Sequence, residues 1–406
     1  MLVCCSAYSK TAESTVVLLS IDGFSYDYLA TYQPKNMLAF AKTGTSAKLL
    51  PVYPSKTFPN HLSIITGVYP KNHGIIHNKF YHPQLDKKYY LGAGKHNSAW
   101  LTAKPFWSVV QEHNISSAVY FWPESEAIGQ GSEATYHIPY KKTDTEQTHF
   151  DQIINWLKLP PTQAPQFIVS YFSSVDNAGH NFGLGSPELS QAITDIDNLF
   201  GHFMARLKKE IPQDVNVILL SDHGMVQINK NKNIDLTMVF NKNQLKLIDE
   251  KTIVIAKSST QLFGYFDQDK FNVHQQKIIL QELKARQKLH PKLYRVFDKN
   301  NYPKHWRLNN NLAITPSFVV EAAPSASFVN EKYAYQNIAT HGYDAFNQSE
   351  LTAIFLAAGP DIIQGRAVNS FENIHIVPLM SQLLGIKQPD NIDGENAVLA
   401  VIVKSN

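Results

Sequence analysis

Val16 to Asp22 reads VVLLSID, a run that is apolar on consecutive positions and closes on a carboxylate. A strand with one solvated face alternates, whereas one covered on both faces does not, so this run belongs in a sheet sandwiched between helices. The same texture recurs at Ser117 to Pro123 (SAVYFWP), Phe167 to Asp176 (FIVSYFSSVD), Val215 to Asp222 (VNVILLSD) and Leu351 to Pro360 (LTAIFLAAGP). Helical patterns separate them, at Thr145 to Leu159 and at Pro187 to Lys209; the second opens with Ser186 as N-cap and Pro187 at the first helical position. Strand and helix in alternation predict an α/β fold, a mostly parallel central sheet flanked by helices.

Working outward, the texture changes from Asn241 to Gln336, where Lys and Gln become frequent and turn-rich stretches such as NNNL appear. Strand character returns at Leu351. The expected organisation is therefore a catalytic α/β core of residues 15–240 and 337–406 carrying an inserted smaller subdomain at 241–336. At 406 residues the chain exceeds the usual size of one hydrophobic core, in keeping with such an insertion.

Composition removes several classes of function. Hydrophobic residues at 44% and charged residues at 17% describe a folded protein rather than a disordered one. Against 34 acidic residues stand 37 basic ones, with no dense Lys/Arg run, so duplex nucleic acid is not an expected partner. Cys4 and Cys5 are the only cysteines, which excludes thiolate catalysis and Cys-rich zinc sites from the folded body. No apolar run approaches the roughly 18 residues of a membrane span. Residues 1–14 resemble a signal-peptide remnant, giving an expectation of a periplasmic or secreted protein. Oligomeric state is not legible.

In open α/β sheets ligands bind beyond the carboxyl ends of the strands. There the sequence places Asp22, Asp176 with His180, and Asp222 with His223; Thr57 stands in the turn YPSKTFPN (Tyr53 to Asn60), and His341 in THGYD precedes the last long strand. Aspartate and neutral histidine are ligands that Zn²⁺ accepts, and their number would fill two sites. With 16 histidines in the chain, metal ligation is worth testing residue by residue. Taken singly, Asp222 with His223 also suits an ordinary strand-to-loop exit, and Asp176 with His180 a loop aspartate and a solvated histidine.

The ordered set SIDGF, KTFPNHLSIITGVYPKNHGI, SVDNAGH, LSDHGM and THGYD resembles the nucleotide pyrophosphatase/phosphodiesterase branch of the alkaline phosphatase superfamily, in its compact bacterial-type form. The resemblance runs from about Val16 to Gly359 and skips most of the insertion. It implies an alkaline-phosphatase-like fold and a hydrolase with two divalent metal ions, normally Zn²⁺. Residues matching Asp22, Thr57, Asp222 and His223 would hold one ion, and those matching Asp176, His180 and His341 the other. It further implies that Thr57 is the nucleophile, that Asn78 binds a phosphate oxygen, and that Phe58 and Tyr171 sandwich a nucleobase.

That reading gives the hydroxyl of Thr57 a purpose. Coordination to a divalent cation lowers the pKa of an oxygen ligand, and Pro59 suits the first turn of a helix whose amides would face an incoming phosphate. The expected reaction passes through a phosphothreonine and releases a nucleoside monophosphate. A choline-phosphodiester or phosphonate hydrolase, and a noncatalytic binding protein on the same fold, stay open. One departure concerns the turn after Ser117 to Pro123, where Trp122, Pro123 and Glu124 replace the family's WPG. His61, His73 and His77 match no ligand position and are expected to be structural or to support the ligands from behind.

Overall fold

The computed structural model describes residues 14–129, 133–308, 313–329 and 337–404. The proposed signal remnant thus falls outside the described residues, Ser14 excepted. Taken in chain order, the elements that build the site are β1 (Thr15–Ile21), β2 (Thr45–Leu50), helix α1 (Thr57–Thr66), β3 (Ser117–Tyr120), β4 (Tyr136–Ile138), α2 (Glu146–Leu157), β5 (Phe167–Phe172), α3 (Ser174–Phe182), α4 (Pro187–Glu210) and β6 (Val215–Leu220). Then come β7 (Ile253–Lys257), β8 (Gln261–Phe266), β9 (Tyr294–Asp298), β10 (Phe318–Ala322) and β11 (Ala353–Ala358).

Among the described residues nine strands form the central sheet, whose long members run in the order β2-β11-β6-β1-β5-β3-β4. β1 pairs in parallel with β5 and β6, and β3 in parallel with β5 and β4, while β11 runs antiparallel to both β6 and β2. The expected α/β fold with a mostly parallel sheet is the one observed. β1 and β6 are buried at every position. Their alternate residues feed two separate cores, Val16, Leu18, Ile218 and Leu220 on one face and Val17, Leu19, Val217 and Leu219 on the other. That division is the physical reason for the unbroken apolar runs.

α4 starts as expected, with the Ser186 hydroxyl accepting from the Leu189 N–H at 3.1 Å and Pro187 at its first position. One boundary differs in a way that matters. β5 stops at Phe172, and Asp176 is not its terminator but the third residue of α3, where a carboxylate suits the positive end of the helix. Asp176 and His180 therefore project from one face, a single turn apart.

Within the stretch expected as an insertion, β7, β8, β10 and β9 form an antiparallel sheet in that order. Its core does not close on itself, because Val226, Ile234, Tyr343 and Leu351 from outside 241–336 pack into it. The loop that carries His341 is thus clamped between the two sheets.

Candidate metal centre

The centre lies where β1 separates β5 from β6, beyond their carboxyl ends. Asp22 follows β1 directly, Asp222 and His223 follow β6, and Asp176 and His180 come from α3. Gly23 makes the approach possible: its φ of +72° suits glycine, and a Cβ there would meet the Asp176 side chain at 3.0 Å. Its N–H also donates to Asp222 Oδ1 at 3.2 Å.

α1 begins at Thr57 itself, after the extended Lys56. The approach is knitted by Asn60, which accepts from the Val52 N–H and donates to the carbonyls of Pro54 and Lys56, at 2.8 to 2.9 Å. Ser55 and Lys56 then tie this turn to the loop of His341. Ser55 Oγ donates to the Tyr343 carbonyl at 2.8 Å and accepts from the Gly342 N–H at 3.0 Å, while Lys56 Nζ donates to the His341 carbonyl at 2.6 Å. The Thr57 hydroxyl stands 3.5 Å from His223 Nε2.

The three histidines share a pattern. Nδ1 of His223, His180 and His341 lies 3.0, 2.8 and 2.8 Å from the carbonyls of Gly224, Ala339 and Ser55. A proton on each Nδ1 satisfies those carbonyls and leaves Nε2 a lone pair. Each Nε2 faces carboxylate oxygen: His223 at 3.0 Å from Asp222 and 3.5 Å from Asp22, His180 at 3.5 Å and His341 at 3.8 Å from Asp176. Asp22 Oδ1, Asp176 Oδ1 and Asp222 Oδ2 are buried and make no hydrogen bond. Lone pairs converging on unpaired buried carboxylate oxygens is an arrangement that a cation relieves, and leaving such oxygens unpaired costs several kcal/mol. The donor set therefore fits divalent metal. Two groups of atoms mutually within 4.8 Å stand out, Asp22, Asp222 and His223, and Asp176, His223 and His341; His223 belongs to both.

Electrostatics follow from this crowding. Burial, with the charges of Asp222 and Asp176, pushes Asp22 well above the usual carboxylate range. For Asp222 burial pulls the same way, and the group is held well below that range only where positive charge, on the imidazoles of His223 and His61 or on a cation in their place, faces it. His341 is driven down by burial and by His223, Lys56 and His180, so its imidazole is neutral.

Asn78, Phe58 and Tyr171 come to this region with Thr57 and the acids and histidines above. Asn78 Oδ1 accepts from the Phe58 N–H at 3.0 Å, which turns its amide nitrogen away from the helix backbone. Phe58 is half-buried. Tyr171 donates its hydroxyl to Asp22 Oδ2 at 2.5 Å, and its ring meets His61 and Phe121 edge-on at 5.1 and 5.3 Å. Sequence reasoning missed two features, the cross-links of Ser55 and Lys56 and the ring of Tyr140, while His61, expected to be structural or to support the ligands from behind, lies beside them. His61 bridges Ser20 Oγ at 2.8 Å and the Thr57 carbonyl at 2.9 Å, beside Asp222 at 3.4 Å. Ser55 and Lys56 carry the cross-links just described. Tyr140, 54% exposed, leans on Phe121 at 4.7 Å. Only the KTFPNH motif itself signalled any of these.

Residues 16–344 match the family described as type I phosphodiesterase / nucleotide pyrophosphatase. The chain belongs to this family. An uncharacterized pyrophosphatase/phosphodiesterase of Schizosaccharomyces pombe is 31% identical over 95% of the chain and 80% of its own length. Venom phosphodiesterase of Naja atra is 34% identical over 97% of the chain, which spans about half of that protein (47%). Murine ectonucleotide pyrophosphatase/phosphodiesterase 5 superposes with a TM-score of 0.84 at 24% identity, over 96% of this chain and all of that one. The same murine protein is also known as an inactive threonine-to-alanine variant in complex with AMP.

Proposed function

We propose that the protein is a metal-dependent nucleotide phosphodiesterase/pyrophosphatase in which Thr57 attacks phosphorus. The observation that carries this is the placement of the Thr57 hydroxyl, at the first position of a buried helix and 3.5 Å from His223 Nε2, against carboxylates with unpaired oxygens. Family membership supports the reaction class, and the AMP complex of the murine relative supports a nucleotide ligand. Bound divalent cations, of which zinc best suits these donors, would neutralise phosphate charge and acidify the threonine hydroxyl.

The chain's own part is positioning. Thr57 Oγ forms a bond to phosphorus as the bond to the leaving oxygen breaks, giving a phosphothreonine diester. Water then attacks phosphorus from the vacated side, breaks the bond to Thr57 and releases a monoester. The Asn78 amide and the Thr57 N–H at the positive end of α1 receive a nonbridging oxygen. Asp22, Asp222 and His223 together with Thr57 would hold one ion, and Asp176, His180 and His341 the other.

Phe58 offers a base one aromatic face. Tyr171 is reassigned: tied to Asp22 through its hydroxyl and edge-packed on His61 and Phe121, it positions the carboxylate, and the open ring of Tyr140 supplies the second face. The relatives' venom and ectonucleotide names favour an exported protein. Product identification from ATP tests the reading. AMP with pyrophosphate is expected, because attack falls on the α-phosphorus; ADP with phosphate, or an order-of-magnitude preference for a choline phosphodiester, overturns it.

A further inference from the structure

Glu124, three residues beyond Phe121, has a positive φ of 62°, a conformation that side chains other than glycine seldom adopt. It is buried at 4% exposure, and its carboxylate takes three donors from one distant segment. Oε1 accepts from the Tyr89 hydroxyl and, at 3.1 Å, from the Gly92 N–H; Oε2 accepts from the Gly94 N–H at 3.1 Å. The segment is shaped to receive it, since a Cβ on Gly94 would stand 2.2 Å from Oε2. The Ile128 N–H returns to the Gly94 carbonyl at 3.1 Å and closes the tie.

What is tied can be followed into the centre on both sides. Tyr89 stacks on Phe80 at 5.0 Å and its N–H donates to the Phe80 carbonyl at 2.7 Å, and Phe80 lies two residues past Asn78, which caps the Phe58 N–H. On the other side, Trp122 Nε1 donates to the His61 carbonyl at 3.1 Å, one turn along α1 from Thr57, and Phe121 packs on Tyr171 and Tyr140. Strained backbone held by several charge-assisted hydrogen bonds is a feature that structures keep where geometry is being enforced.

We propose that Glu124 is a positioning residue for substrate preference: its carboxylate joins the Asn78 wall to the Phe121 wall and sets the width of the cleft that admits the base. This rests on the nucleotide reading above. Glu124 hydrogen-bonds Tyr89, Gly92 and Gly94 and none of the candidate metal ligands, and the Asn78 bond to the Phe58 N–H does not pass through it, so the chemistry on a diester without a base should depend on the tie only weakly.

The test compares wild type, Glu124→Gly and Tyr89→Phe on the p-nitrophenyl ester of thymidine 5′-phosphate and on bis(p-nitrophenyl) phosphate, with metal content and thermal midpoint measured alongside. Glycine accepts the backbone conformation, so Glu124→Gly should fold and keep its metal. Its KM for the nucleotide ester should rise about tenfold, with kcat and both constants for the base-free diester within about twofold of wild type. Tyr89→Phe removes one donor and should show the same split at about threefold. A nucleotide preference that survives both changes, or an equal loss on both substrates, overturns the role of Glu124 alone. A wild type with no preference between the two substrates overturns the nucleotide reading, and this inference with it.

Discussion

Tyr171→Phe separates two accounts of one residue. The phenol hydroxyl donates to a buried carboxylate at 2.5 Å, and burial together with the charges of Asp22 and Asp176 keeps it protonated by pushing its pKa well up. Phenylalanine preserves the ring and its edge contacts while removing that donor. A hydrogen bond to a charged group contributes about 1.5–3 kcal/mol, and about 1.4 kcal/mol is a factor of ten, so affinity for the ion proposed to bind Asp22 should fall roughly 10- to 100-fold. The assay is activity against free Zn²⁺ in a chelator-buffered series. The variant's curve should shift to higher zinc by that factor, with KM for substrate at saturating zinc unchanged. A base-stacking role makes the opposite demand, because the retained ring would leave zinc dependence untouched. An unshifted zinc curve would refute the positioning argument.

Thr57→Ala should lower kcat at least about 10³-fold, since the attacking oxygen is gone, while nucleotide binding by calorimetry persists through Asn78 and the helix terminus. Asp176→Asn should empty one of the two proposed ion positions, read as about one equivalent lost by elemental analysis of the purified protein. Acid stability should report the buried imidazoles: burial drives both His73 and His77 down from 6.5 to about 3. The folded protein thus refuses a proton that the unfolded chain binds. Their contribution is complete above about pH 6.5 and is lost progressively as pH falls toward 3, at roughly 2 kcal/mol each by pH 5. His73→Asn should shrink the difference in unfolding free energy between pH 7 and pH 5 by about that amount, measured by urea titration.

The sheet was legible because β1 and β6 are wedged between two cores, and double-sided burial leaves its mark on every residue. Asp22, Asp222 and His223 were legible for a related reason: polar residues at the ends of such strands have nowhere to go but the sheet edge. The role of Asp176 was less so. The apolar run FIVSYF gives no sign that the chain turns into a helix two residues later, and the i, i+4 pairing with His180 follows only from that helix. Tyr171 on Asp22 spans 149 positions, and Lys56 on His341 spans 285. Contacts of that reach are products of the fold, and no local pattern encodes them. Tyr140 was invisible because a loop aromatic carries no periodicity.

What those long-range contacts do is fix the ligands before any ion arrives. The imidazoles of His180, His223 and His341 are oriented by carbonyls of Ala339, Gly224 and Ser55, and the backbone carrying His341 is pinned by a lysine that burial pushes down to about 8 against the pull of Asp176 and Glu321. A frame so fixed needs little ordering when a cation binds, which strengthens binding. It also prevents Asp22, Asp176 and Asp222 from rotating toward other donors, so their unpaired oxygens weaken the metal-free fold. The same rigidity therefore acts twice, raising the energy of the empty centre and lowering the ordering cost of the filled one, and both effects favour the loaded protein.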